Sequence, residues 1–236
     1  MWVSNLTSTG EWPVTIVNQI LKQMPGLAKP QAKFIEVLIS TILALRRRVN
    51  YRNLSRYCDY SERTLARQFQ RQFDWPMFNH LAMRNVLNPG SNLIAAQDAT
   101  FIPKSGKKTY GLDHFFNSCA GRAERGLEVS TLALVDLSRN SAYTLAATQT
   151  APQQELAKAD KEQSRVDFYL AQLRQHRPML PTSLKYLAAD GFYAKQKYVD
   201  GVRACQLHLI TRLRVDANLR YLYNGPRLKR RGRPKL

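Results

Sequence analysis

NLIAAQDATFI, residues 92–102, carries Leu93, Ile94, Ala95 and Ala96, then Ala99, Phe101 and Ile102, an apolar run of strand length with Asp98 set in its middle. Such a run reads as a buried strand. An uncompensated carboxylate there costs on the order of several kcal/mol. Asp98 therefore needs a partner: an arginine in a structural ion pair, or a metal ion that supplies the missing positive charge.

Downstream, the pattern continues as strands and then alternates. GLEVSTLALVDL (126–137) and SAYTLAATQT (141–150) are joined by Ser138-Arg139-Asn140, a short polar link that predicts an antiparallel hairpin. Val166, Tyr169, Leu170 and Leu173 mark a helix that stops before RPMLP. SLKYLAAD is then a short strand, AKQKYVDGVRAC a helix and LHLITRL a last strand. The order β-β-β-α-β-α-β gives an α/β domain with a mixed sheet, antiparallel first and parallel later.

A second acid answers the first. YLAADGFYAKQ (186–196) runs an apolar strand into Asp190 and Gly191, so this carboxylate sits at the carboxyl end of a strand, where α/β sheets bind ligands. As a helix N-cap it would accept hydrogen bonds from the following turn. As a ligand it would converge with Asp98 on a divalent ion, which prefers hard oxygen donors.

Upstream, residues 16–87 are helical in pattern, with Phe34, Val37, Leu38, Thr41, Ile42 and Leu45 on one face and Pro30 in the first turn. LNPGSN (87–92) breaks the helix and places a boundary. The reading is a helical DNA-binding unit over 1–88, an α/β unit over 89–215 and a basic tail over 216–236.

NLSRYCDYSERTLARQF (53–69) fits a helix-turn-helix. Leu54 and Tyr57 pack the first helix, Asp59 takes a left-handed turn position, Ser61 caps the second helix, and Leu65 and Phe69 face inward. Arg63, Arg67 and Arg71, four apart, then line the outer face, suited to phosphates and guanines; a basic surface helix of a bundle has the same pattern. FIPKSGKKTYG places Lys104, Lys107 and Lys108 on a loop after the Asp98 strand, either solvated or gripping a phosphate backbone. RRGRP, with Arg230, Arg231 and Arg233, has the form of a minor-groove AT-hook or of a loose basic end. Trp12 and Trp75 read as core.

Composition points the same way. Of 236 residues, 36 are Lys or Arg and 17 Asp or Glu, a formal net charge of +19. A surplus of that size fits a polyanion partner. Three cysteines, Cys58, Cys119 and Cys205, lie far apart and four histidines are scattered, which excludes a disulfide framework and a zinc ribbon and fits a reducing cytosol. The N-terminus lacks the order of a signal peptide and FIEVLISTILAL is too short to span a bilayer, so the expectation is a soluble cytoplasmic protein with no membrane partner. No aromatic-rich strand suggests an RNA-binding module.

Three stretches, AAQDATFIPKSGKKTYGLDHFFNSCAGRAERGLEVSTLALVD, YLAADGFYAKQKYVDGV and LYNGPRLKRRGRPK, resemble the catalytic region of bacterial insertion-sequence transposases of the DDE superfamily. The resemblance covers roughly residues 90–236. It implies a ribonuclease H-like fold whose central sheet carries three acids holding two Mg2+ or Mn2+ ions, with Asp98 as the first acid and Asp190 as the second. The implied partners are double-stranded DNA, as element ends and target, and a second copy of the chain on that DNA; the implied location is the bacterial nucleoid. The third acid of that family is a helical Glu in a Tyr, Arg, Glu, Lys signature. After Asp190 this chain offers Asp200 and Asp216 and no Glu, so the resemblance implies a form interrupted before that signature. Two functions follow: a transposase, or a non-catalytic DNA-binding product that antagonises one.

Overall fold

The structure, a computed structural model, describes residues 11–88, 90–106, 108–159, 163–213 and 217, with the backbone alone over 11–14 and 157–159. Five helices come first: α1 (Glu11–Gln23), α2 (Lys29–Ala44), α3 (Tyr51–Leu54), α4 (Glu62–Phe69) and α5 (Trp75–Val86). They enclose a core of Ile20, Leu21, Phe34, Ile35, Leu38, Leu54, Leu65 and Leu81. Pro30 lies in the first turn of α2, as the sequence predicts. The buried stripe of that helix is Phe34, Ile35, Leu38 and Thr41, whereas Val37 is half-buried and Ile42 is exposed. The stripe is thus rotated by about one residue, onto the core that α2 shares with α1, α3, α4 and α5.

The helix-turn-helix segment is compressed. Its first helix, α3, is a single turn capped by Asn50, and Ser61 caps α4 by accepting from Thr64 N–H at 3.2 Å. Leu54 and Leu65 are buried as expected. Tyr57 and Phe69 are instead 44% and 45% exposed; Phe69 leans on the edges of Phe34 and Tyr51. Asp59 does not take the left-handed conformation, which among described non-glycine residues belongs to Arg47, Asn140 and Gln206. Trp75, expected in the core, is 42% exposed and packs on Phe73 and Phe78; Trp12's side chain lies outside the described residues.

The rest is one mixed sheet with helices: β1 (Leu93–Pro103), β2 (Asp113–Asn117), β3 (Arg122–Asp136), β4 (Ser141–Gln149), α6 (Gln153–Ala159), α7 (Arg165–His176), β5 (Tyr186–Ala189), α8 (Gln196–Ala204) and β6 (His208–Thr211). The strand order is β2-β3-β1-β5-β6, with β4 also pairing β3. Strand β3 is long enough to hold β2 along its first residues and β4 along the remainder, while its other edge takes β1 from Gly126 to Asp136. β1, β3 and β4 are antiparallel; β1, β5 and β6 run parallel. This is the ribonuclease H-like mixed sheet that the sequence implied, preceded by helices. The sequence reading missed β2, α6 and the start of β3: the strand begins at Arg122 rather than 126 because a tight turn at Gly121, φ +64°, folds β2 back on it.

One face of the sheet carries α7 and α8 over Ala95, Leu132, Leu134, Leu145, Leu170, Leu173, Leu187 and Tyr198. Helix α5 belongs to both halves: Leu81 serves the helical core and Met83 the sheet core. Asn79 donates to the Leu145 carbonyl at 3.1 Å, and Arg139 donates to the Val86 carbonyl at 2.8 Å.

Candidate active site

The pleat of β1 decides which side chains reach the site. Ala95 and Gln97 turn toward the helices and are buried, whereas Asp98 is exposed on the opposite face. The expectation of a continuously buried strand with a buried Asp98 is therefore corrected. The buried polar residue of β1 is Gln97, at 1% exposure; successive side chains of a strand point to opposite faces, and the small alanines on both faces hid that alternation.

Gln97 is fully engaged. Its amide nitrogen donates to the Tyr169 carbonyl at 3.0 Å and to Gln172 Oε1 at 2.8 Å, and its amide oxygen accepts from the Tyr198 hydroxyl. Gln172 also accepts from Ser130 Oγ at 2.6 Å and donates to the Ser130 carbonyl and to Thr148. This layer ties β1, β3 and β4 to α7 and α8 directly beneath Asp98. Sequence reasoning passed over Gln97, Gln172 and Tyr198; the available signal was a glutamine at the position before the acid, on the opposite face.

Asp190 is brought to Asp98 by the sheet. β1 and β5 run parallel with Gln97 opposite Ala189, so the next position on each chain is an aspartate, and neighbouring strands lie about 4.8 Å apart. The Asp190 side chain caps a 3-10 turn over Gly191–Tyr193 and accepts from Phe192 N–H at 2.9 Å. Its carbonyl accepts from Thr211 Oγ1 at 2.6 Å, which pins the turn to β6. A Cβ on Gly191 would stand 3.2 Å from the Arg212 carbonyl oxygen, so glycine permits this close approach. The cap reading of Asp190 thus holds, and the cap sets the carboxylate beside β1.

Partial loss of hydration, and then the Asp190 charge, push the Asp98 carboxyl above the usual carboxylate range; a hydrogen bond from Ala99 N–H at 2.8 Å opposes them. None of the ion pairs among the described residues uses either of them. The ion-pair explanation of Asp98 has no arginine behind it there. Two carboxylates at neighbouring positions of adjacent strands, neither in an ion pair among the described residues, are hard-oxygen donors of the kind a divalent ion takes. Among the described residues no group of three His, Cys, Asp or Glu gathers to hold a metal. Asp200 lies in α8, within the element after the second acid, and Asp216 lies outside the described residues.

Behind the acids, Tyr193 is buried at 1% exposure and its hydroxyl finds no partner among the described residues. Burial above all, with the neighbouring tyrosines and Asp98 adding to it, drives its pKa far upward. A broad open hollow lined by Leu87, Asn92, Ile94, Pro181 and Lys185 lies at the other end of β1 and β5 and holds no acid.

The basic residues proposed for DNA occupy three places. Arg63 and Arg67 are exposed and share a shallow groove with Ser61, Thr64 and Gln70; Arg71 is exposed in the turn past α4. Lys104 and Lys108 are exposed on the loop after β1. Five strand residues, about 17 Å, separate Asp98 from Pro103, so these lysines stand well along the sheet from the carboxylates. Lys107, Arg230, Arg231 and Arg233 lie outside the described residues, as does nearly all of the basic tail. Among the described residues no helix is long and apolar enough to cross a membrane.

A comparison with curated proteins finds no match. Five chains of solved structures match. One is the piggyBac transposase in a synaptic complex with hairpin DNA, at 13% identity and a TM-score of 0.46, covering 87% of this chain and 48% of that one; this chain thus spans about half of its length. The family model of DDE superfamily endonucleases matches residues 23–236, all but the first helix and what precedes it. The chain belongs to the DDE superfamily of endonucleases.

Proposed function

We propose that this endonuclease-family chain acts in DNA transposition, binding the ends of an insertion element and cutting and joining DNA strands at a site built on Asp98 and Asp190. The observation that carries the proposal is the parallel register of β1 and β5, which supports neighbouring positions for Asp98 and Asp190 just past the last paired residues, with neither acid in an ion pair among the described residues. Asp98, at the sheet's centre, would hold a divalent ion together with Asp190 at the end of β5; Mg2+ and Mn2+ suit the oxygen donors. Bound there, such ions supply activation of water or a 3′-hydroxyl and stabilisation of the leaving oxygen at phosphorus. The chain's own residues do the positioning. Gln97 and Tyr198 fix the strand behind Asp98, and the Asp190 cap with Thr211 fixes the turn. Arg63, Arg67 and Arg71 on and after α4, with Lys104 and Lys108, would hold the duplex. Two copies on paired ends are the assembly proposed.

The experiment incubates the protein with duplex carrying element ends and Mn2+ and scores nicks on a denaturing gel. Nicking by the wild type that disappears in Asp98→Asn and in Asp190→Asn is the expected result. A second reading, a DNA-binding product that occupies ends without cutting, draws on the finding that no third acid gathers with Asp98 and Asp190 among the described residues. It predicts tight DNA binding and no nicks from the wild type in the same assay.

A further inference from the structure

Between α2 and α3 lies a cluster that the transposition reading does not use. Leu45-Arg46-Arg47-Arg48-Val49-Asn50 leads into α3, with Arg52 inside that single turn and Arg56 in the turn just past it. All five arginines are exposed, and none takes part in an ion pair among the described residues. Guanidinium groups do not lose their proton in proteins, so this stretch carries five like charges, four of them lining one groove, with no ion pair to any of them among the described residues.

The main chain beneath them is fixed. The Asn53 side-chain amide donates to the Arg46 carbonyl at 2.9 Å and to the Arg48 carbonyl at 3.0 Å. Arg47, caught between those two anchors, has φ +79°, a left-handed backbone that an arginine rarely adopts. Asn50 caps the helix that carries Asn53 by accepting from Asn53 N–H at 2.8 Å. The outcome is an open groove lined by Arg47, Arg48, Asn50, Arg52, Asn53 and Arg56. A solvated run of arginines needs neither the double anchor nor the strained residue; strain held in place by surrounding structure gathers where a ligand is bound.

We infer that this groove is a phosphodiester-binding cradle for duplex DNA, separate from the α4 groove and from the carboxylates. Guanidinium forks match phosphate oxygens, and α3 packs directly on α4, so one duplex lying along α4 continues across the cradle. Asn53 is the positioning residue: it touches no phosphate and aims the arginines through the backbone. The inference rests on the DNA-binding reading above.

The test measures duplex affinity by fluorescence anisotropy from 50 to 300 mM NaCl for the wild type, Asn53→Ala, Arg47→Gly, Arg48→Gln and the control Lys22→Gln, with circular dichroism to check folding. Each lost phosphate contact lowers the slope of log K against log salt by about 1. Arg47→Gly and Arg48→Gln, both exposed and harmless to the core, should each lower the slope by about 1, with Lys22→Gln unchanged. A folded Asn53→Ala, which removes no charge, should lower it by about 2 and weaken binding about tenfold at 100 mM. Equal effects from all three charge removals, or a folded Asn53→Ala with wild-type slope, would overturn the cradle while leaving DNA binding intact. Wild-type protein that ignores duplex and binds phosphatidylglycerol vesicles would overturn both.

Discussion

Asp98 shows how one residue carries opposite consequences for stability and for function. Its carboxyl is held above the ordinary value of 3.8 by lost hydration and then by Asp190. A raised acid pKa means the folded state prefers the protonated form. Its penalty is absent below the unfolded pKa and grows as pH rises through the folded one. Asp98→Asn should therefore stabilise the metal-free protein at pH 7, by less than about 1 kcal/mol because the side chain is exposed, and the gain should vanish near pH 3. A thermal melt at both pH values checks it. Mn2+ should raise the melting temperature of the wild type, since a ligand of the native state stabilises it by mass action, and should leave Asp98→Asn unmoved. The acid itself was legible in the sequence as a polar interruption of an apolar run. Its exposure was not, because Ala95, Ala96 and Ala99 look alike on either face of a pleat.

Between elements, what matters is how β1, α7 and α8 are tied. Tyr198→Phe leaves the Gln97 amide oxygen without its donor in a buried layer, and an unsatisfied buried acceptor costs about 1–3 kcal/mol; urea denaturation should show that loss. Because Gln97 adjoins Asp98 and Tyr198 follows the Asp190 turn, the same variant should weaken Mn2+ binding several-fold more than Leu173→Ala, a truncation in the same core that removes no hydrogen bond of this layer and costs about 2–5 kcal/mol. A second tie is Asp167 at the start of α7 with Lys197 of α8, at 2.7 Å. Burial works against it, but Lys197 and Ser164 outweigh burial and hold Asp167 at about 2. Its contribution is present above 3.8 and is lost as pH falls toward 2, so Lys197→Ala should raise the acid-unfolding midpoint, with an effect of at most about 1 kcal/mol for so exposed a lysine. These elements were largely readable from the sequence: β4, α7, β5, α8 and β6, and β3 from residue 126 onward, fall close to where the sequence pattern puts them. β2 was not, because His114, Phe115 and Phe116 are too short a run to stand apart from a loop. The polar layer was not either, because it depends on which helix face meets which strand.

Across the whole molecule, the net charge of +19 sets a long-range field, and the fold decides where that field is concentrated. Arg67→Ala should weaken duplex binding and lower its salt slope by about 1; an unchanged slope in a salt titration would remove α4 from the interface. LNPGSN (87–92) was readable as a break in the sequence, yet α5 packs on β4 and supplies side chains to both cores. Unfolding of the two halves should therefore be coupled. Asn79→Ala, which removes the hydrogen bond to the Leu145 carbonyl, should broaden a single calorimetric transition or split it in two.

The claim on which the rest depends is that Asp98 and Asp190 bind one divalent cation site in common. Titration of Mn2+ into the protein, followed by electron paramagnetic resonance of the free ion, measures this without DNA or turnover. Binding that is lost on Asp98→Asn and equally on Asp190→Asn, in variants that still melt cooperatively, is the predicted result. Wild-type affinity retained in either variant would contradict it.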